Sequence, residues 1–221
     1  MVLSCQAILF DLDGVLVDST PAVARVWGRW ALRHGLQPET IIARAHGRRS
    51  IETIRDVAPG MNAEQENLRV EQMEIEDREG VTTLPGASQL LGALPKDRFA
   101  IVTSATRALA RARIGYAGLP LPNNLVSAND VVDGKPSPEP YFKGAELLGF
   151  APVDCVVFED APAGIVSARA AGMRVVGISN TYSAGELTGA TAIVRSLEHI
   201  EVQVSDGSLQ LHVANLIPQR S

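Results

Sequence analysis

The sequence predicts an α/β fold, a doubly wound parallel sheet with an inserted α-helical cap. Short apolar runs that end at charged residues recur along the chain, helical patterns separate them, and one strandless interval interrupts the alternation. Strands that alternate with helices form a parallel sheet covered on both faces. A chain of 221 residues, 46% of them hydrophobic, can form one such core with a smaller insertion.

The first predicted strand covers residues 7–10 and stops abruptly at Asp11. A buried strand ends in this way where its carboxyl end meets a ligand crevice. Similar apolar runs predict further strands at 99–102, 153–158 and 173–178. Helical patterns lie between and after these strands at 86–94, 106–116, 138–149 and 161–171.

The interval from about residue 18 to 83 contains no convincing buried strand. Its helical patterns cover 21–34, 39–45, 49–57 and 63–79. Roughly 65 strandless residues exceed what one crossover requires. We therefore predict a cap domain at 18–83 and a core domain at 1–17 and 84–221, the alternative being that these helices simply cover the sheet. Trp27 and Trp30, spaced i, i+3, are expected to pack inside the cap and not to serve as a sugar platform.

The remaining patterns concern the C-terminus and the cysteines. Alternating polarity on both sides of Asp206 and Gly207 predicts a β-hairpin over 202–213. Cys5 and Cys155 lie in or beside apolar runs and have neither metal-ligand nor redox spacing. We expect both to be buried, reduced thiols and not a disulfide.

Composition narrows the range of partners. The formal charge is −5 and no basic stretch offsets it, which argues against a nucleic-acid partner. No apolar run approaches the roughly 18 residues that cross a bilayer, and no signal-peptide pattern is present. We expect a cytoplasmic monomer without membrane contact that acts on a small molecule.

Carboxylates follow two of the predicted strands. Asp11 and Asp13 come after the first, and Glu159 and Asp160 come at the end of the third. The carboxyl ends of parallel strands converge, and buried carboxylates repel one another unless a cation compensates. An all-oxygen ligand set favours Mg²⁺ over zinc, so we expect these four residues to hold Mg²⁺. Taken singly, each of them could instead cap a helix or a turn.

Four segments resemble, in order, the motifs of the haloacid dehalogenase-like hydrolase superfamily. They are DLDGVLVDS (11–19), IVTS (101–104), GKP (134–136) and VFEDAPAG (157–164). Members of this superfamily mostly cleave phosphate esters through an aspartyl-phosphate, and their Rossmann-like sheet often carries a helical cap after the first strand. The resemblance spans about residues 5–180 and implies a Mg²⁺-dependent phosphohydrolase.

The resemblance assigns Asp11 as the nucleophile and Asp13 as the general acid and base, roles that need adjacent carboxyl groups. Strict strand geometry would point these side chains to opposite faces, so the chain must turn, and Gly14 provides that turn. Lys135 is expected to neutralise phosphate charge.

A hydroxyl donor should also bind the phosphate. Thr103 and Ser104 compete for this role, and resemblance to the sugar-phosphatase branch favours Ser104. Thr103, Ala105 and Gly14 are expected beside the substrate as well.

Other branches of the superfamily match this sequence less well. Dehalogenases of this fold lack the second aspartate, which is Asp13 here, and phosphonatases need a cap lysine, whereas the first lysine here is Lys96. β-Phosphoglucomutases also use an aspartyl-phosphate, but they carry a histidine where this chain has Val23. A phosphomutase is the alternative function. A non-catalytic binding protein on this scaffold is a third, disfavoured by the intact motifs.

Three segments resemble the branch that acts on glycerol 3-phosphate, 2-deoxyglucose 6-phosphate and sugar-alcohol phosphates. They cover residues 46–49, 128–131 and 135–141. The implied substrate is a small sugar or polyol phosphate. Arg48, whose guanidinium offers a fork of donors, is the main cap candidate for binding it, with His46 and Arg49 beside it; the alternative is solvated side chains.

Overall fold

The structure is a computed structural model that describes residues 1–205 and 207–218. Its strands are β1 (Val2–Cys5), β2 (Ala7–Phe10), β3 (Val17–Asp18), β4 (Thr82–Thr83), β5 (Phe99–Val102), β6 (Leu125–Val126), β7 (Cys155–Glu159), β8 (Arg174–Ile178), β9 (Ala192–Val194), β10 (Ile200–Ser205) and β11 (Ser208–Val213). Its helices are α1 (Thr20–Arg33), α2 (Pro38–Ala45), α3 (Ser50–Val57), α4 (Ala63–Glu76), α5 (Ala87–Ala93), α6 (Arg107–Tyr116), α7 (Glu139–Leu148) and α8 (Pro162–Ala170).

Six parallel strands form the main sheet, in the order β6-β5-β2-β7-β8-β9. This arrangement confirms the predicted α/β class. The third predicted strand begins two residues late, at Cys155, because residues 152–154 form a 3₁₀ turn. The sequence did not predict β1, β6 or β9; β6 has two residues and β9 three, too few for a strand period to be visible.

The sheet is covered on both faces, because alternate side chains of a strand point in opposite directions. Ile8 and Phe10 of β2 pack with α5, α6 and the C-terminal strands. Ala7 and Leu9 pack on the other face with α7 and α8. The side chains packed on both faces of the sheet are apolar. The polar residues that follow the strands therefore lie at the edge of the sheet where the strands end.

Helices α1 to α4 form a helical unit, residues 20–76, with an apolar cluster of its own. The antiparallel pair β3 and β4 joins its two ends to the sheet, with Val17 opposite Thr83. Trp27 and Trp30 pack edge to face in this cluster, with ring centroids 5.5 Å apart. The fourth helix ends at Glu76, three residues before its predicted end.

The predicted C-terminal hairpin is present as β10 and β11, which pair from Ile200 and Val213 to Ser205 and Ser208. Asp206 of the predicted turn lies outside the described residues. Strand β1 adds to β11 and makes a three-stranded antiparallel sheet. Cys5 and Cys155 are free and buried, as expected. Among the described residues, no helix is long and apolar enough to span a bilayer.

We propose that the helical unit is a cap domain that can loosen while the sheet stays intact, and Ile54→Ala tests this. Ile54 is fully buried in the cluster of the unit, so its truncation should cost about 2–5 kcal/mol. Hydrogen–deuterium exchange should rise across residues 20–76 while β2 and β7 stay protected.

Leu68→Ala is the control, because Leu68 lies in the same unit and is 67% exposed. It should leave exchange unchanged. An equal rise of exchange in the sheet and in the helical unit would contradict a separate domain.

Candidate active site

The parallel pairing of β2 with β7 brings the predicted carboxylates together. Phe10 lies opposite Phe158, so Asp11 and Glu159 follow at the same edge of the sheet. The backbone N–H of Asp11 donates to the carbonyl of Phe158 at 3.0 Å and fixes this register beyond the end of β2. The site therefore begins where two buried strands end.

The chain bends at Leu12, between Asp11 and Asp13, as their spacing required, and the predicted turn at Gly14 follows. Gly14 has a φ of +83°, and its N–H donates to the carbonyl of Val17 at 2.8 Å. A Cβ atom at this position would lie 1.9 Å from Oδ2 of Asp160. Only glycine allows both this backbone conformation and this close approach.

Lys135 forms the centre of the site. Its Nζ donates to Oδ1 of Asp11 at 2.5 Å, to Oε1 of Glu159 at 2.6 Å and to the carbonyl of Val102 at 3.2 Å. Burial lowers the pKa of Lys135, but the two carboxylates more than reverse this and raise it above its usual value. Lys135 is thus a buried, charged group that fixes the orientation of Asp11.

Glu159 is saturated with hydrogen bonds. Its Oε1 accepts from Lys135 and from the hydroxyl of Tyr141 at 2.9 Å, and its Oε2 accepts from the N–H groups of Asp160 and Ala161 at 2.9 and 3.0 Å. Gly164 of α8 packs against it, because a Cβ there would lie 1.6 Å from Oε1. These contacts suit Glu159 to hold Lys135 in place.

Asp11, Glu159 and Asp160 form a buried carboxylate group whose oxygens lie within 4.8 Å of one another. Burial raises the pKa of Asp11 to about 7, against the charge of Lys135, and raises that of Asp160 well above its usual value. Three carboxylates and one ammonium leave an excess of negative charge. A divalent cation would offset it, and oxygen ligands suit a hard ion.

Asp13, the fourth predicted ligand, is not part of this carboxylate group. Its Oδ1 accepts from the hydroxyl of Ser19 at 2.6 Å, and its Oδ2 accepts from Nη1 of Arg113 at 2.8 Å. The second arm of that guanidinium, Nη2, donates to Oε1 of Glu74 at 3.0 Å. Burial raises the pKa of Glu74, against the opposing charge of Arg113.

The sequence patterns did not predict Arg113 or Glu74 as site residues. Arg113 lies on the apolar face of α6 with Leu109, Ala110 and Ile114, and all four are buried. A basic residue at an apolar position of a helix was the available signal. Glu74 carries no such signal, because α4 is rich in glutamate.

A cavity of about 50 Å³ lies between the sheet edge and the helical unit. Asp11, Asp13, Glu74 and Arg113 line it, and so does Trp27, which contacts the cavity as well as packing in the unit. From the core it is also lined by Thr103, Ser104 and Ala105.

The two competing hydroxyls have different partners. Thr103 Oγ1 accepts from the N–H of Ala105 at 3.1 Å. Ser104 Oγ donates to the carbonyl of Gly47 in the helical unit at 3.2 Å. Ser104 is thus engaged across the interface between the unit and the core, whereas the Thr103 hydroxyl, at the end of β5, donates to no acceptor within residues 1–205 and 207–218.

The three cap candidates, His46, Arg48 and Arg49, do not all face the cavity. His46 and Arg48 line the cavity, although Arg48 also pairs with Asp56 at 2.8 Å. His46 donates from Nδ1 to the carbonyl of Ile42, and its buried Nε2 meets no partner in the described part of the chain. Burial lowers the pKa of His46, so its Nε2 is an acceptor. Arg49 points elsewhere, because its Nη1 donates to the carbonyl of Val132.

Comparison with known proteins finds hydrolases and phosphatases. A family model described as haloacid dehalogenase-like hydrolase matches residues 5–172. Hexitol phosphatase A of Escherichia coli (strain K12) is 46% identical, over 90% of this chain and 94% of that protein. Glycerol-1-phosphate phosphohydrolase 2 of Saccharomyces cerevisiae is 37% identical, over 90% of this chain and 86% of that protein. The crystal structure of a hydrolase from Pseudomonas syringae has a TM-score of 0.78 at 27% identity, covering 88% of this chain and 94% of that one.

The excess of buried carboxylate predicts that a divalent cation stabilises the protein and that Asp160→Asn removes this effect. Saturating Mg²⁺ should raise the melting temperature of the wild type, because a ligand at 100 times its Kd adds about 2.7 kcal/mol. Without metal, Asp160→Asn should melt no lower than the wild type, because the variant buries one charge fewer. Thermal melts with EDTA and with MgCl₂ measure both effects.

Asp154→Asn, at an exposed position before β7, is the matched control and should keep the full shift. An undiminished Mg²⁺-induced shift in Asp160→Asn would show that the cation binds elsewhere.

Proposed function

Because the chain belongs to the haloacid dehalogenase-like hydrolase family, we propose that it hydrolyses small sugar or polyol phosphate monoesters, with Mg²⁺, through an aspartyl-phosphate on Asp11. The observation that carries this proposal is the buried Asp11–Lys135 pair, whose Asp11 lines the same cavity as a second carboxyl group, Asp13. The substrate class rests on relatives named as hexitol and glycerol-1-phosphate phosphatases, with which the match covers most of both chains.

The first step uses Asp11 and Asp13 together. Lys135 holds Oδ1 of Asp11, which leaves Oδ2 to attack the phosphorus. As the new O–P bond forms, the bond between phosphorus and the ester oxygen breaks, and the leaving alkoxide takes a proton from the carboxyl group of Asp13. Covalent catalysis of this kind divides one difficult displacement into two easier ones.

The second step returns the enzyme to its starting state. Asp13, now ionised, takes a proton from water, and the water oxygen attacks the phosphorus of the aspartyl-phosphate. The bond to Asp11 breaks and inorganic phosphate leaves. One residue can serve both steps because it gives up a proton in the first and regains one in the second.

Asp11 and Asp160 are the residues best placed to hold the metal, because both oxygens of Glu159 already accept hydrogen bonds. When bound, Mg²⁺ supplies positive charge beside the phosphoryl oxygens. Lys135 supplies charge from the protein, and Thr103 or Ser104 donates a hydroxyl hydrogen bond. We favour Thr103, since the Ser104 hydroxyl is engaged with Gly47.

The cavity is too small for the proposed substrate as it stands. Its volume of about 50 Å³ is far below the about 300–1,000 Å³ of small-molecule sites. The helical unit must therefore move away to admit a sugar phosphate. Closing again would bring His46, Arg48 and Trp27 against its hydroxyl groups and exclude bulk water.

Replacing the nucleophile should abolish turnover. Asp11→Asn retains the shape of Asp11 but cannot form the aspartyl-phosphate, and loss of a covalent nucleophile or its base costs roughly 10⁴- to 10⁶-fold in kcat. Phosphate release from a polyol phosphate with Mg²⁺ measures the loss.

Asp97→Asn, at an exposed position, should retain wild-type activity. Quenching wild-type turnover with acid should trap phosphate on Asp11, detected by mass spectrometry of the peptide. Undiminished turnover in Asp11→Asn would exclude Asp11 as the nucleophile.

Product analysis should distinguish the phosphatase from the mutase. Val23 lines the cavity at the position where mutases carry a histidine, so no imidazole is present there to assist transfer to a second sugar hydroxyl. We expect free phosphate from glycerol 1-phosphate, hexitol phosphates and 2-deoxyglucose 6-phosphate. We expect little conversion of β-glucose 1-phosphate to glucose 6-phosphate, and predominant conversion would favour the mutase.

A further inference from the structure

We propose that Arg113, anchored by Glu74, is a positioning residue that holds the carboxyl group of Asp13 for proton transfer. The inference rests on the proposed function and adds to it two residues outside the four sequence motifs. Arg113 is 6% exposed and Glu74 is 5% exposed, so both side chains are buried beside the reaction cavity that they line.

Asp13 needs such support because the sheet does not provide it. Asp11 follows β2 directly and is fixed by the N–H bond to Phe158 and by Lys135. Asp13 lies two residues further on, at the turn, and its oxygens are held by Ser19 and Arg113. Without Arg113, the Ser19 hydroxyl alone would orient a carboxyl group whose direction decides whether the proton reaches the leaving oxygen.

Glu74 fixes the guanidinium itself. A guanidinium is a rigid planar fork, so a bond to one arm determines where the other arm points. Nη2 of Arg113 is held by Glu74 at 3.0 Å. The contacts thus run from Glu74 through Arg113 to Oδ2 of Asp13.

The contact between Glu74 and Arg113 also joins two parts of the protein. Glu74 belongs to α4 of the helical unit, whereas Arg113 belongs to α6 of the core. The orientation of Asp13 therefore depends on α4 packing against α6. Proton transfer then has its full efficiency when the helical unit is docked over the substrate.

Leaving groups of different basicity test this role directly. A polyol alkoxide must be protonated as it leaves, whereas p-nitrophenolate leaves without a proton. In Arg113→Met, kcat/KM for a polyol phosphate, which reports the first step up to departure of the leaving group, should fall about 30-fold, part of the roughly 10²–10⁴-fold that a positioned general acid contributes. For p-nitrophenyl phosphate kcat/KM should fall less than about threefold, since departure of its leaving group needs no general acid.

Arg113→Met leaves the buried Glu74 and the partly exposed Asp13 without their cation, so the variant could fail to fold. Two further variants keep the test informative in that case. Arg113→Lys keeps the charge but lacks the fork, and Glu74→Gln keeps an acceptor but loses its charge. Both should show the same selective loss for the polyol phosphate, in smaller degree. The matched controls are Arg111→Met on α6 and Glu76→Gln on α4, both exposed, which should behave as wild type.

The outcomes separate this inference from the proposed function. Equal losses of kcat/KM on both substrates, or no loss on either, in Arg113→Lys and Glu74→Gln would overturn the positioning role while wild-type turnover still supported the phosphatase. A wild type that hydrolyses neither substrate with Mg²⁺ present would overturn the proposed function and, with it, this role.

Discussion

The buried interaction among Lys135, Asp11 and Glu159 is the constraint on which the rest of the site depends. Burying carboxylates at adjacent strand ends is costly unless each is paired and hydrogen-bonded. Lys135 pairs with two of them at 2.5 and 2.6 Å, and Glu159 satisfies its remaining capacity with Tyr141 and two backbone N–H groups. Asp160 is left without a direct cationic partner among the described residues, and this remaining charge points to a metal.

The side chains of Asp160 and Glu159 lie close against neighbouring backbone, and two glycines permit this close approach. Side chains at Gly14 and Gly164 would overlap Asp160 and Glu159 respectively. The bend at Leu12, just before the turn at Gly14, directs Asp13 away from Asp11. One carboxylate is thereby placed with Lys135, while the other is placed with Ser19 and Arg113. Residues of the same type, two positions apart, thus acquire environments suited to different chemical roles.

The sequence predicted what local patterns determine. An apolar run that stops at a carboxylate indicates both a strand and its functional end, so the sheet and the positions of Asp11 and Asp160 followed from it. It could not predict the Asp13–Arg113–Glu74 network, whose members are 100 and 39 residues apart. Nor could it predict that Arg49 turns towards Val132, or that Trp27 meets the cavity, because tertiary packing decides both.

The ion-paired group around Lys135 and the one around Arg113 are supported by different parts of the protein. Lys135 and its carboxylates are held by β2, β5, β7, α7 and the loops that follow the strands, all within the core, so this group would stay assembled during the proposed movement of the helical unit. The Arg113 group spans the core and α4, so it is complete when the two are in contact. Rigid support suits the role of nucleophile that we propose for Asp11. The proton transfer that we propose for Asp13 is, by contrast, useful only with substrate enclosed, and its carboxyl group is linked to the helical unit that we propose encloses the substrate.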